Sequence, residues 1–398
     1  MIRGIIMWIK FRHKIVFAIL HPIFTVYLWM KYGYHAKKYQ LDKGPYVMLF
    51  NHPTNLDPFM MALSFKGPIY FMANDDLFNI PVISPIIRYL VAPIPKAKSV
   101  RDIQAVKNCI RIVKEGGRIG IALEGNRNYS GRSNYIDKAI VKLIKLLKVP
   151  VVLYNIYGGY GVNPRFSKKL RKGKMFGQVR RILSVEEVNN CSDGELYDII
   201  VQSLDVNDLE LNYKYRGKAL AENLESVFYV CPVCHSFSTI TSNRNKLKCT
   251  HCNLEVEYTE SLTFKTDNDK FNFKSVSEYY RYQEDFIRNQ NTCFLKFTDS
   301  LVKLRRVIKN KRKYDIMEGS LTFDNNSLIV KSKKGRKEFL YEKILSLAVV
   351  YHNTLIINLE DETYHIVADE RFNALKYLHL YYQIKNIKQG VHNGFLGI

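Results

Sequence analysis

His52 and Asp57 stand five positions apart in the stretch Leu49–Phe59, and that pair can do acid–base chemistry. A carboxylate bonded to one imidazole nitrogen leaves the other nitrogen to take a proton, which makes the pair a general base for a hydroxyl. On an ideal helix two side chains five residues apart diverge by well over a quarter turn. They meet only if the chain bends between them. Pro53 suits the first position of a helix that His52 would cap, and Pro58 disfavours a long regular continuation. The same pattern also reads as a histidine that merely caps a helix beneath a strand.

A second group of residues has metal-ligand spacing. Cys231 and Cys234 form one CxxC pair, Cys249 and Cys252 another, and fourteen residues separate them. Two such knuckles place four thiolates around one tetrahedral ion, and this resembles a zinc ribbon. His235 and His251 are adjacent alternative ligands, and iron is the alternative metal. With four thiolates no coordination position stays open, so the metal is expected to be structural. Cys109, Cys191 and Cys293 stand alone in apolar or mixed surroundings, as buried free thiols do. Seven cysteines in this arrangement are not a disulfide framework and point to a reducing compartment.

The elements that must position these residues follow from the apolar pattern. Strands are expected at 46–50, 69–73, 91–94, 118–123 and 150–156. Helices are expected at 60–65, from Ile80 to Tyr89, at 101–115 and at 136–147. The face of the Ile80–Tyr89 helix would suit an acyl channel. Alternating strand and helix predicts a mixed, mostly parallel, doubly wound α/β sheet flanked by helices. In such sheets sites collect at the carboxyl ends of strands, where His52 and Glu124 both fall.

Four blocks now stand in order: Asn51-His52 with Asp57, the basic stretch Pro95-Lys96-Ala97-Lys98, Glu124-Gly125-Asn126-Arg127, and Val149 to Val152. Ser130-Gly131 follows the third. Together they resemble the glycerolipid acyltransferases of the lysophosphatidate type, over about residues 46–160. Leu123 stands where that family usually has proline, Asn126 where it has threonine, Thr54 for a frequent serine, and a lysine for the arginine of the second block. The resemblance implies that Asp57 orients His52. His52 would take the proton of a lysophospholipid hydroxyl as that oxygen attacks a thioester carbonyl of acyl-CoA or acyl-ACP. Arg127 and Lys96 would hold the acceptor phosphate, with Asn51, Glu124 and Gly125 shaping its pocket. For 1-acylglycerol-3-phosphate the product would be phosphatidate, a step of phospholipid biosynthesis. Two bland readings stay open: Arg127 as a surface partner of Glu124, and Lys96 as a solvated lysine.

The 398 residues carry a formal net charge of +23, with 47% hydrophobic and 13% aromatic residues. Such an excess implies an anionic partner, either nucleic acid or a phospholipid surface. The basic start Arg3 to Lys14 precedes an apolar run, Ile15–Met30, that is short of the roughly 20 residues a spanning helix needs. His21-Pro22 interrupts it. A signal peptide, a tilted span and a buried core helix all compete. The favoured reading is a helix embedded in one leaflet, with Tyr27, Trp29 and Tyr32 at headgroup level, on the cytoplasmic face. The basic stretch 163–181 reads as a solvated or headgroup-facing surface. From about Thr292 short alternating strands and a closing helix, 372–384, resemble a pleckstrin-homology or GRAM-like module. Within it, 303–313 and 331–337 read as basic loops.

The expected organisation is a membrane-associated segment 1–45, an acyltransferase domain 46–225, a zinc ribbon 226–262, a helical linker 263–291 capped at Ser275, and a β-rich domain 292–390. Membrane lipid, a lysophospholipid and acyl carrier protein are the expected partners; nucleic acid is not. Two other classes stand beside this reading. One is a ribbon protein that binds nucleic acid or protein on an inactive fold of the same kind, and the other is a lipid-binding scaffold.

Overall fold

The computed structural model describes residues 7–42, 44–74, 77–78, 82–96, 102–290, 295–307, 313–351, 353–369, 371–392 and 394–397. Lys98 and Cys293 lie outside the described residues, as does 308–312. The chain divides into two compact units, 1–164 with 170–215, and 165–169 with 216–398.

The first unit runs α1 Phe11–Tyr32, β1 Tyr34–Ala36, β2 Val47–Phe50, α2 Asp57–Ala62, β3 Tyr70–Asn74, α3 Ile83–Leu90, β4 Ile94–Lys96 and α4 Ile103–Lys114. It continues with β5 Ile119–Ala122, α5 Ala139–Leu147, β6 Val151–Tyr157, α6 Gly159–Val162, β7 Met175–Leu183, α7 Val185–Asn190 and α8 Asp193–Leu204. Its seven strands lie in the order β1-β7-β6-β2-β5-β3-β4. All neighbours are parallel except β6 and β7. This is the mixed, mostly parallel sheet the alternation predicts. All four residues of β2 and the first six of β6 are buried, as strands covered on both faces must be. On one face Cys109, Ile112 and Ile144 of α4 and α5 pack against Val47, Leu49, Ile119 and Val151. On the other, the hydroxyls of Tyr34, Ser64 and Tyr154 bond one another beneath α2.

Three expectations change here. The apolar N-terminal run is one helix of 22 residues with Pro22 inside it, not a run broken at His21-Pro22. Gly33, at φ 62°, ends it with its N–H on Trp29. Tyr32 is buried rather than held at a headgroup level. The basic stretch 163–181 is not a solvated run, because Arg171 is buried and β7 occupies its second half. Single-sequence pattern missed β7 because its Arg180 and Arg181 sit on the exposed part of a strand buried chiefly through Met175, Gly177 and Leu183.

The second unit holds β8 Ile240–Asn243, β9 Lys246–Cys249, β10 Glu255–Tyr258, β11 Phe264–Lys265 and α9 Val276–Arg288. Then come β12 Phe297–Val307, β13 Lys313–Phe323, β14 Ser327–Ser332, β15 Gly335–Leu340, β16 Ser346–Val350, β17 Thr354–Asn358, β18 Thr363–Val367 and α10 Ala374–Lys388. The first four form a small antiparallel sheet; the last seven form another, ordered β15-β14-β13-β12-β18-β17-β16. That is a four-stranded meander and a three-stranded meander joined through β12 and β18. Ser275 caps α9 as expected, accepting the N–H of Glu278. Residues 303–307 are strand, not loop: Lys303 and Arg305 alternate with buried Val302 and Leu304, and Lys303, Arg305 and Arg306 each pair with an acid. The stretch 331–337 is a hairpin, with Lys331 opposite Arg336.

Candidate active site and metal centre

The parallel pairing of Phe50 with Ala122 sets the ends of β2 and β5 side by side. The residues after each strand therefore meet. The backbone N–H of His52 donates to Glu124 Oε1 at 3.0 Å, and that of Asn134 donates to Oε2 at 3.1 Å. Glu124 thus clamps the His52 turn to the loop 124–134. Gly125, at φ 64°, gives that loop the left-handed turn a side chain would strain.

His52 Nδ1 lies 2.8 Å from Asp57 Oδ2. The contact exists because residues 53–56 form an irregular turn and α2 begins only at Asp57, with Leu56 as its cap and Pro58 in its first turn. Pro53 is not a helix start, and His52 is not a cap. Asp57 is fully buried and also accepts the Thr54 N–H, at 3.0 Å to each oxygen, and the Thr54 hydroxyl at 2.5 Å. Several converging donors satisfy a buried carboxylate and fix its direction. Thr54, which stands where a serine is frequent, thereby holds the carboxylate that faces His52. The His52 side chain is 22% exposed, so the ring is held at Nδ1 without being sealed from solvent.

Asn51 reaches the other neighbour of β2. Its Nδ2 donates to the Ile156 carbonyl at 2.9 Å and its Oδ1 accepts the Ile156 N–H at 2.8 Å. The buried amide thus extends the pairing with β6, so Asn51 shapes the site through the backbone. Arg127 donates from Nε to the Pro53 carbonyl at 2.9 Å and from a terminal nitrogen to the Asn163 carbonyl. Its guanidinium therefore lies against the residue that follows His52. Lys96 ends β4, three strands from β2, roughly 14 Å across at ordinary strand spacing. It stands on the same carboxyl edge. Tyr32, expected from the sequence at a headgroup level, lies here instead; its ring falls within electrostatic reach of Arg127 and Asp57, and burial raises its hydroxyl pKa.

Burial pushes the Glu124 carboxyl up to about 7, against the two backbone N–H bonds that favour its charge. An acid raised on folding binds more protons in the native chain than in the unfolded one. Its stabilisation is therefore complete below the ordinary carboxylate range and fades as pH rises through about 7. The expected result is that the parent protein loses more urea resistance between about pH 5 and pH 8 than Glu124→Gln does. Equal losses in paired titrations would remove Glu124 as the source.

In the second unit the four Sγ atoms of Cys231, Cys234, Cys249 and Cys252 lie within 4.8 Å of one another. Cys231–Cys252 and Cys234–Cys249 are each 3.7 Å apart. Zn–S bonds near 2.3 Å in a tetrahedron put sulfurs about 3.8 Å apart, whereas a disulfide needs about 2.05 Å. The cluster fits a closed metal site. The two knuckles are alike: His235 and Asn253, each four residues after the first cysteine, take left-handed φ of 59° and 58°. Each donates its N–H to that cysteine's carbonyl. His235 and His251 are not needed as ligands.

The knuckles are stitched into the rest of their unit. Tyr229 donates its N–H to Gln283 of α9, and its hydroxyl lies 2.8 Å from His379 Nδ1 on α10. Tyr280 meets the other nitrogen of His379 at 3.1 Å. Burial pushes His379 down to about 3, so it stays neutral with one nitrogen donating and one accepting. Lys376, 2% exposed, pairs with Asp299 at 2.6 Å and donates to Ser238, just past the first knuckle.

Residues 31–156 match the family model described as acyltransferase. The 1-acyl-sn-glycerol-3-phosphate acyltransferase of Borreliella burgdorferi is 26% identical over 164 residues, 40% of this chain and 64% of that protein. The chloroplastic 1-acyl-sn-glycerol-3-phosphate acyltransferase BAT2 of Brassica napus is 27% identical over 140 residues, 35% of this chain and 40% of that protein. The chain thus spans less than two thirds of the length of either curated relative. Among solved structures, the 1-acyl-sn-glycerophosphate acyltransferase PlsC of Thermotoga maritima superposes with a TM-score of 0.40 at 20% identity, over 48% of this chain and 76% of that one.

Proposed function

We propose that this chain, whose residues 31–156 carry an acyltransferase-family domain, is a glycerolipid O-acyltransferase working at a membrane surface. The observation that carries the proposal is the 2.8 Å contact of His52 with buried Asp57, beside an arginine held on the next carbonyl. Asp57 accepts from Nδ1–H and keeps Nε2 basic. His52 takes the proton of the acceptor hydroxyl as that oxygen forms a bond to the thioester carbonyl carbon. The tetrahedral adduct collapses, the C–S bond breaks, and the thiolate leaves with the proton that His52 returns. Arg127 and Lys96 supply positive charge on the same sheet edge for the acceptor's phosphate. The two named relatives favour 1-acylglycerol-3-phosphate as acceptor and phosphatidate as product. The donor is acyl-CoA or acyl-ACP. Incubation of the purified full chain with labelled acyl-CoA or acyl-ACP and a panel of lysolipids tests the reading. Phosphatidate formed from one donor supports it, and no transfer to any lysolipid from either donor refutes it.

The membrane reading rests on α1, which is long and apolar enough by length and composition to cross a bilayer. Phe11, Ile15, Ile19, Ile23, Val26 and Met30 form an exposed apolar stripe along it. Its other side packs on the domain through His13, Leu28 and Tyr32, and Phe24 stacks on Phe59 of α2. Deleting α1 would therefore damage the fold. The cleaner change is Ile15→Gln, Ile19→Gln and Ile23→Gln together. Loss of three exposed apolar side chains is expected to weaken vesicle partitioning by roughly tenfold or more without shifting the thermal midpoint. Unchanged partitioning would move the anchor to the basic surfaces.

In the second unit zinc held by Cys231, Cys234, Cys249 and Cys252 would be structural, since four thiolates leave no position for a substrate. We read the seven-stranded antiparallel sheet with its terminal helix as a pleckstrin-homology-like module and assign it to the anionic lipid surface.

A further inference from the structure

We propose that Asp208 is a positioning residue for the His52 site, acting through the turn 158–163; this rests on the acyl-transfer reading of that site. Asp208 is 4% exposed and belongs to no motif. Its Oδ1 accepts the Gly158 N–H at 2.7 Å and its Oδ2 the Gly161 N–H at 3.0 Å. The Tyr160 N–H adds to the charge-favouring contacts. A buried carboxylate without these donors would be costly, and a buried turn without this acceptor would leave its N–H groups stranded.

The turn that Asp208 holds is pressed from two sides. A Cβ on Gly158, at φ 75°, would lie 2.1 Å from the Lys174 carbonyl oxygen, and one on Gly161 would lie 2.2 Å from the Tyr215 ring. A Cβ on Gly159 would come within 2.6 Å of Pro53. The turn therefore touches the residue that follows His52. Its last residue, Asn163, offers the carbonyl that receives Arg127, whose Nε is bonded to the Pro53 carbonyl. Asp208, the glycine turn, Pro53 and Arg127 form one mechanical chain. Only an acceptor-only side chain satisfies several N–H groups at once; the NH2 of an asparagine would face one of them as a second donor.

The test uses the full chain with Asp208→Asn, Asp208→Glu, Arg127→Ala and the Asp208→Asn/Arg127→Ala pair. Asp208→Asn is expected to raise the KM for the lysolipid roughly tenfold, the cost of stranding one buried hydrogen-bonding group, and to leave the donor KM unchanged. Asp208→Glu is expected to recover part of that loss. On the Arg127→Ala background the added effect should fall below about twofold, because residues acting through one another are not additive. A fall in kcat with both KM values unchanged would mark mere loss of folded protein and overturn the proposal. Full additivity with Arg127→Ala would overturn it as well. Amide exchange over 158–161 keeps the proposal separate from the acyl-transfer reading. It should speed up in Asp208→Asn whether or not the parent transfers an acyl group, and unchanged exchange there would refute the hold on the turn. Should Asp208→Asn not fold, Gly159→Ala pushes the same turn off Pro53. The same KM split is expected from it, and its absence counts against the proposal.

Discussion

His52→Ala is expected to lower acyl transfer by about 10³-fold or more while leaving the chain folded, because the proposed mechanism uses one imidazole as base in attack and as acid in departure. The side chain is partly exposed and is bonded to Asp57. Its loss removes one of the donors to that carboxylate, and the Thr54 hydroxyl and N–H remain. The structural cost is therefore on the order of one buried hydrogen bond, about 1–3 kcal/mol. Initial rates with labelled donor, read beside a far-UV melt, separate the two effects. A variant that folds and keeps a rate within threefold or so of the parent would put the general base elsewhere.

Metal removal should act on the second unit as a whole. Chelation, or Cys231→Ser, is expected to cost about 5 kcal/mol and to lower the melting midpoint of residues 216–398 by roughly 10 °C or more. The reason is the route from knuckle to core. Cys231 follows Tyr229 and Val230, whose N–H groups both point to Gln283 Oε1, and Tyr229 leads on to His379. Ser238 receives the buried Lys376, and Phe237 stacks with Phe297. An independent ribbon would lose only its own structure. Here the near-UV signal of the tyrosine and phenylalanine cluster around α9 and α10 should collapse with it. The metal content of the purified chain should be one ion per chain. A metal-free chain with the parent's melting curve would leave the cluster as four packed thiols.

Much of this was legible from local pattern. Runs of buried β-branched and aliphatic residues marked β2, β5 and β6, because a strand covered on both faces must be apolar throughout. The helix α4 announced itself by period, with Gly116 marking its end, and α9 by the cap at Ser275. Other parts were hidden. The strands β7 and β12 carry arginines and lysines on an exposed face, and a charge run gives no sign that its alternate residues are inside. Pro22 suggests a break in α1, yet the helix continues because its packing against α2 outweighs one missing hydrogen bond.

What the sequence determined by itself was chemical inventory: an imidazole and a carboxylate five apart, a Glu-Gly-Asn-Arg block, and four thiols in two pairs. Residue type and spacing are enough for that, since function needs those groups. Only the tertiary structure decided who orients whom. Thr54 serves Asp57, Asn51 serves β6, Glu124 ties two loops, and Asp208 bears on Pro53 from 155 residues away. These roles depend on hydrogen bonds between segments remote along the chain. Such bonds leave no period and no motif, because their partners become neighbours only when the sheet order β6-β2-β5 has been set.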